Sequence, residues 1–262
     1  MKDFVSGIDK PEDRLAISKL LDKAEFAAKT HRLVHSDFLD PHLVNLAQKV
    51  LSSVRICDYY FFGGYSQAER AVVIFRPEFT TQEEWEQYQG DILKVIQIKP
   101  LCRNSLSHRD YLGALMSLGI RREVTGDIIV SEELCGIVVL SEITQYISLN
   151  LVKVGNIGVE VEISDIMELS PKEAKVSEIK ATVAALRLDS LCARSFGISR
   201  SKAVEYIKAG KVQLNWELSL SPDKQLHEGD TVSLRGKGKA VLEKVGGKTK
   251  KDRIAISIMK YI

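Results

Sequence analysis

The stretch Arg187-Leu-Asp-Ser-Leu-Cys-Ala-Arg-Ser-Phe-Gly-Ile-Ser-Arg-Ser-Lys-Ala203 reads as two short helices broken at Gly197. Helices are expected over about 187–196 and 200–209, the second capped by Ser199. Strands are expected around 211–216, 231–235 and 254–260, with turns at Gly210, Ser221-Pro222, Gly229-Asp230 and Gly246-Gly247. The start of the second helix gathers Ser199, Arg200, Ser201 and Lys202 where free N–H groups and the helix dipole attract an anion. Arg187 on the first helix, with Lys208 and Lys211 around Gly210, extends this turn into a basic face suited to an RNA backbone. Taken singly, Asp189 is expected to pair with a neighbouring Arg, and Ser199 to act as a cap. The RGKGK group with Arg235, Lys237 and Lys239, and then Lys248, Lys250, Lys251 and Arg253 in KTKKDR, are further candidates for phosphate contacts.

Charge along the chain supports that placement. Residues 1–181 carry 21 Lys+Arg against 27 Asp+Glu, a net of −6, whereas residues 182–262 carry 16 against 8, a net of +8. A basic C-terminal module on an acidic body is the footprint expected of a polyanion-binding protein. The whole chain has 262 residues, 45% hydrophobic and 27% charged, which suits two or three folded domains and excludes a disordered or collagen-like chain. No apolar run approaches the ~18–20 residues of a membrane helix. The start, MKDFVSGIDKPEDR, has acidic residues where a signal peptide would be apolar, so a cytoplasmic location without membrane insertion is expected.

Upstream, residues 9–57 read as helical, with Asp40-Pro41 starting the later helix, and 1–65 is taken as a helical N-terminal domain. The paired glycines of Asp58-Tyr-Tyr-Phe-Phe-Gly-Gly-Tyr65 mark a turn or a close backbone approach. A strand at 71–75 and a helix at 82–91 follow. The segments 94–99, 109–119, 126–130, 136–140, 141–149 and 158–163 then read as strand, helix, strand, strand, helix, strand. This is the split β-α-β plan of a ferredoxin-like or RRM-like domain over 66–170, with 71–75 as an extra strand of the same sheet. Residues 171–181 read as a linker and 182–262 as the C-terminal domain, giving an α+β fold class.

The 187–232 pattern resembles the S4 RNA-binding domain (αL motif). Phe62-Gly-Gly-Tyr-x-x-Ala-Glu-Arg70, Leu106-Ser-His-Arg-Asp-Tyr-Leu-Gly-Ala-Leu-x-x-Leu-Gly-Ile120 and Arg122-Glu-x-x-Gly-Asp-Ile128, upstream of such a domain, resemble the YlmH family. The resemblance implies a non-enzymatic protein that binds rRNA and tRNA and engages large ribosomal subunits carrying stranded peptidyl-tRNA, in ribosome-associated quality control. Within it, Ser107 and Asp110 form a capping-box arrangement. His108 and Arg109 are expected to tie their helix to the Gly126-Asp127 turn more than to touch RNA. CGIVVL at 135–140 lacks the stacking aromatics of an RNA-recognition motif.

Other chemistry finds little support. Cys57, Cys102, Cys135 and Cys192 form no C-x-x-C pair and are expected as buried reduced thiols. His31 and His35, four apart on an expected helix, lack a third ligand, so no metal site is assigned. Gly247-Lys-Thr249 has Leu242 where a phosphate loop needs glycine. A pseudouridine synthase would need its catalytic Asp in the body, but Arg187-Leu-Asp189 lies inside the S4 pattern. A cell-division or membrane-surface scaffold would need a basic amphipathic helix at the chain end. No catalytic residue, cofactor or small-molecule substrate is assigned.

Overall fold

The computed structural model describes residues 7–102, 106–131, 133–169, 176–249 and 252–261. The chain divides into two compact units, 1–172 and 173–262.

The first unit opens with α1 (Pro11–Thr30) and α2 (Pro41–Ser53), which pack on a three-stranded antiparallel sheet in the order β1-β3-β2. Its strands are β1 (Val34–His35), β2 (Asp58–Phe62) and β3 (Val72–Arg76). Asp40 accepts from the Leu43 N–H at 2.9 Å with Pro41 in the first turn, so the expected start of α2 is realised. The N-terminal region is therefore helices on a sheet rather than helices alone. The expected extra strand at 71–75 belongs here, because its partners are β1 and β2 and not the ferredoxin-like sheet. His31 caps α1 in the left-handed region and His35 lies in β1, so the expected helical pair does not exist. Gly63 has both a sequence signal and a structural reason: a Cβ there would stand 2.3 Å from the Ala68 Cβ and 2.5 Å from the Arg70 carbonyl oxygen.

After α3 (Gln82–Ile92) come β4 (Leu93–Pro100), α4 (His108–Ser117), β5 (Thr125–Val130), β6 (Cys135–Leu140), α5 (Thr144–Asn150), β7 (Lys153–Val154) and β8 (Ile157–Asp165). The sheet order β5-β6-β4-β8-β7, antiparallel throughout, is the ferredoxin-like order with a short edge hairpin added. All six residues of β6 are buried. Phe38 packs toward Gly126 and Val138, the Gly64 turn toward Val138 and Ile166, and Leu169 toward Gly136. Among the described residues, both faces of β6 are thus covered.

The second unit begins with β9 (Val176–Val183), which pairs along its whole length with β14 (Ile254–Tyr261). Residues 176–181, expected as linker, are therefore sheet. Their alternation of charged and apolar side chains is a one-sided strand pattern that is easily taken for polar linker. α6 (Leu188–Phe196) and α7 (Arg200–Lys208) follow, then β10 (Val212–Leu214), β11 (Glu217–Leu218), β12 (Thr231–Leu234) and β13 (Gly238–Lys248). The six strands run β11-β10-β12-β13-β14-β9. Gly246-Gly247, expected as a turn, lie inside β13 at a register irregularity; the actual turn comes later. Leu188, Leu191, Cys192, Ala203 and Ile207 from the two helices share one buried core with Val212, Val232 and Ile258. A fully buried Leu or Ile contributes roughly 1.5–3 kcal/mol, so these helices are held chiefly by their apolar faces.

Among the cysteines, Cys135 and Cys192 are buried and their thiols are pushed up to about 12 by burial, while Cys57 is half-buried and Cys102 exposed. The expectation of four buried thiols holds for two. No helix among the described residues is long and apolar enough to cross a membrane, and no metal-holding group of His, Cys, Asp and Glu is present among them.

Candidate nucleic-acid interface

The site begins with a buried carboxylate. Asp189, in the first turn of α6, has a side chain only 2% exposed. Its Oδ2 accepts from Arg187 Nη2 at 3.1 Å and from Arg200 Nε and Nη2 at 3.1 and 3.0 Å. Its Oδ1 accepts from the Ser190 hydroxyl at 3.1 Å and from Arg187 Nε at 3.4 Å. Burial pushes this carboxyl up, but the hydrogen bonds from Arg187, Arg200 and Ser190 and the Arg200 charge outweigh burial and hold it below its ordinary range. The Arg187 and Arg200 side chains remain 36% and 55% exposed, so the ion pairs aim them without burying them. Neither Nη1 bonds a described residue.

Ser199 occupies the N-cap of α7, its hydroxyl oxygen accepting from the Lys202 N–H at 3.2 Å. Ser201 is exposed in the first turn. Lys202 Nζ donates to both oxygens of Glu205 at 2.9 Å. Both partners are largely exposed, so the pair adds little stability. Tyr206, absent from the sequence-based set, has the Lys202 ammonium 5.2 Å and the Lys211 ammonium 5.4 Å from its ring centroid. Its spacing four residues after Lys202 and five before Lys211 was the available signal.

Lys208 closes α7, and Gly210, at φ +66°, makes the tight turn into β10. The pairing Val212↔Leu234 sets Lys211 beside Arg235, whose N–H donates to the Lys211 carbonyl at 3.0 Å. Arg235 and Lys237 are exposed in the β12–β13 turn. Lys239 follows at the same end of the sheet, its ammonium 4.7 Å from the Tyr261 ring centroid. The structure thus assembles two neighbouring groups along α7: Arg187, Ser199, Arg200, Ser201 and Lys202 at its start, and Lys208, Lys211, Arg235, Lys237 and Lys239 at the sheet end beyond it. The nine-residue helix between spans about 13 Å.

KTKKDR does not behave as one basic tract. Lys248 pairs with Asp252 at 2.7 Å, and Arg253 donates to the Thr182 carbonyl at 2.7 Å and hydroxyl at 3.1 Å. Lys250 and Lys251 lie outside the described residues. Two members of the C-terminal motif are structural. Asn215 donates to Asp230 Oδ1 at 2.8 Å and accepts from the Thr231 N–H at 2.9 Å, locking the β10–β11 turn to the start of β12.

The motifs of the first unit converge on a second carboxylate. Asp127 accepts from the Tyr65 hydroxyl at 2.8 Å and from the N–H groups of Glu69 and Arg70 at 2.7 and 3.1 Å. Arg70 also donates to the carbonyls of Thr125, Phe38 and Arg122. Arg122 donates to the carbonyls of Thr125 and Gly126 at 2.9 Å. Burial, followed by the Arg70 charge, lowers Arg122 to about 10, which leaves it protonated at neutral pH. The Ser107 N–H donates to Asp110 Oδ2 at 2.7 Å at the start of α4. His108 is lowered by burial and by the Arg122 charge, against the opposing pull of Asp127 and Glu69; no hydrogen bond ties it to the Gly126-Asp127 turn. Arg109 is exposed.

Three family models match the chain: "YlmH, N-terminal" over residues 12–79, "Putative RNA-binding domain in YlmH" over 86–168, and "S4 domain" over 186–232. The ribosome-associated protein quality control protein P2 of Bacillus subtilis is 32% identical over 244 residues, covering 93% of each chain. The solved structure of the cell division protein ylmH from Streptococcus pneumoniae superposes with a TM-score of 0.51 at 20% identity, over 62% of this chain and 96% of that one, a likeness of fold.

Proposed function

This chain belongs to the YlmH family and carries its C-terminal S4 domain, and from that premise we propose that it binds structured rRNA and tRNA on the ribosome without catalysing a reaction. The S4 unit supplies the main contact. The observation that carries this reading is the pair of arginines held on buried Asp189 with their outer faces open to solvent. A guanidinium fixed at one edge presents its remaining donors to a phosphate with less entropy to lose. Lys202, Lys208, Lys211, Arg235, Lys237 and Lys239 extend the face, so recognition follows backbone shape and phosphate more than base identity. The relative's name supports a place in ribosome-associated quality control, and we assign this chain to large subunits retaining peptidyl-tRNA.

Sedimentation of cell extract through sucrose at low and high salt, followed by sequencing of the co-purified RNA, tests this. Salt-sensitive migration with large subunits and recovery of tRNA is the expected result. Migration at the top of the gradient with no enriched RNA rejects the reading.

A further inference from the structure

Behind the α6–α7 turn lies a concavity of about 380 Å³ whose polar lining is Ser190, Arg194, Arg200 and Arg253, with Val183 and Ile198 among its apolar walls. No carboxylate is among its described lining residues. Arg253 is fixed by Thr182 on β9 and Arg200 by Asp189 on α6. Arg194, exposed on α6, makes no hydrogen bond or ion pair to a described residue. Asp189 shares its single charge between Arg187 and Arg200, so the four guanidiniums of Arg187, Arg194, Arg200 and Arg253 keep a net of three positive charges against it. Like charges gathered in a concave wall call for an anion, and guanidinium forks match the oxygens of a phosphate. The apolar walls suit the ribose attached to it.

We propose that Arg194, Arg200 and Arg253 form a seat for a backbone phosphate and its ribose in bound RNA, separate from the Lys202–Lys211 face. Arg253 falls outside the 186–232 stretch matched by the S4 model, so this seat is built partly by the strands added to that domain. The inference rests on the RNA-binding reading above.

The test uses the full chain and purified large-subunit rRNA, with affinity measured across a salt series. Arg194→Ala is expected to bind about tenfold more weakly and to lower the salt slope by about 1, with the fold retained because Arg194 makes no hydrogen bond or ion pair to a described residue. Arg194→Lys should restore the slope and only part of the affinity. Wild-type protein that fails to bind rRNA rejects the RNA reading and this seat together. Wild-type binding with Arg194→Ala unchanged in both affinity and slope rejects the seat alone. RNA should also shield Arg194 from an arginine-modifying dicarbonyl reagent; equal shielding by inorganic phosphate at the same phosphate concentration would show a free-anion site and overturn the RNA assignment.

Discussion

Asp127 and Asp189 are both partly or fully buried carboxylates surrounded by donors, yet they do different work. Around Asp127 the donors are a tyrosine hydroxyl and two backbone N–H groups, and the nearby Arg70 and Arg122 spend their guanidiniums on carbonyls within the same unit. The network turns inward and joins the 62–70 loop to the ferredoxin-like sheet. Around Asp189 the donors are two arginines and one serine, and each guanidinium keeps a solvent-facing side. A carboxylate satisfied by backbone N–H groups closes a fold; one satisfied by arginine edges aims charge outward.

Removing each carboxylate tests that contrast most strongly. Asp127→Ala leaves the Tyr65 hydroxyl and two N–H groups without an acceptor, and should destabilise the first unit by about 3 kcal/mol with rRNA affinity little changed. Thermal unfolding measures the first part, and a loss below about 1 kcal/mol would contradict the clamp role. Asp189→Ala should destabilise the second unit by about 2 kcal/mol and also weaken rRNA binding roughly tenfold, because Arg187 and Arg200 lose their anchor. If stability falls while affinity holds, Asp189 does not aim the arginines.

Substitutions that leave both carboxylates in place sharpen the outward-facing side. Arg200→Ala with Lys202→Ala should weaken rRNA binding about 10- to 100-fold and flatten its salt dependence; a folded double variant that binds normally would move the interface elsewhere. Ser199→Ala should lower stability by about 1 kcal/mol as a lost cap while leaving the salt slope intact. A changed slope would instead make its hydroxyl an RNA contact.

Acid separates the same groups by sign. Asp189 titrates below its unfolded value of about 3.9, so its stabilising contribution is complete above that pH and disappears as pH falls through the lower folded value. Unfolding curves of wild type and Asp189→Asn should therefore converge in strong acid. A gap that persists there would mean the contribution is not ionic.

Much of this was legible in the chain. Apolar periodicity placed α4, α5, α6 and α7 and the four main strands of the ferredoxin-like sheet, because each buries one face and carries the matching period. The Ser199 cap and the Asp40-Pro41 start were also readable, since capping is local. The third sheet strand at 72–76 was misassigned because an apolar strand does not encode its partner. β9 and β13 escaped because one-sided strands rich in Lys and Glu share their composition with linkers.

The sequence by itself determined the basic C-terminal module, the helix pair with its Ser-Arg-Ser-Lys turn, and the motif glycines, all of which depend on residues close in the chain. Only the tertiary structure decided that Arg187 and Arg200 share one buried carboxylate, that Tyr206 sits between two lysines, and that Arg253 lines the same concavity as Arg194. Those contacts join residues through the packing of α6 and α7 on a sheet in which β9 and β14, from opposite ends of the unit, pair side by side. A charged side chain's direction is set by what buries its anchor, and burial is a property of the assembled core.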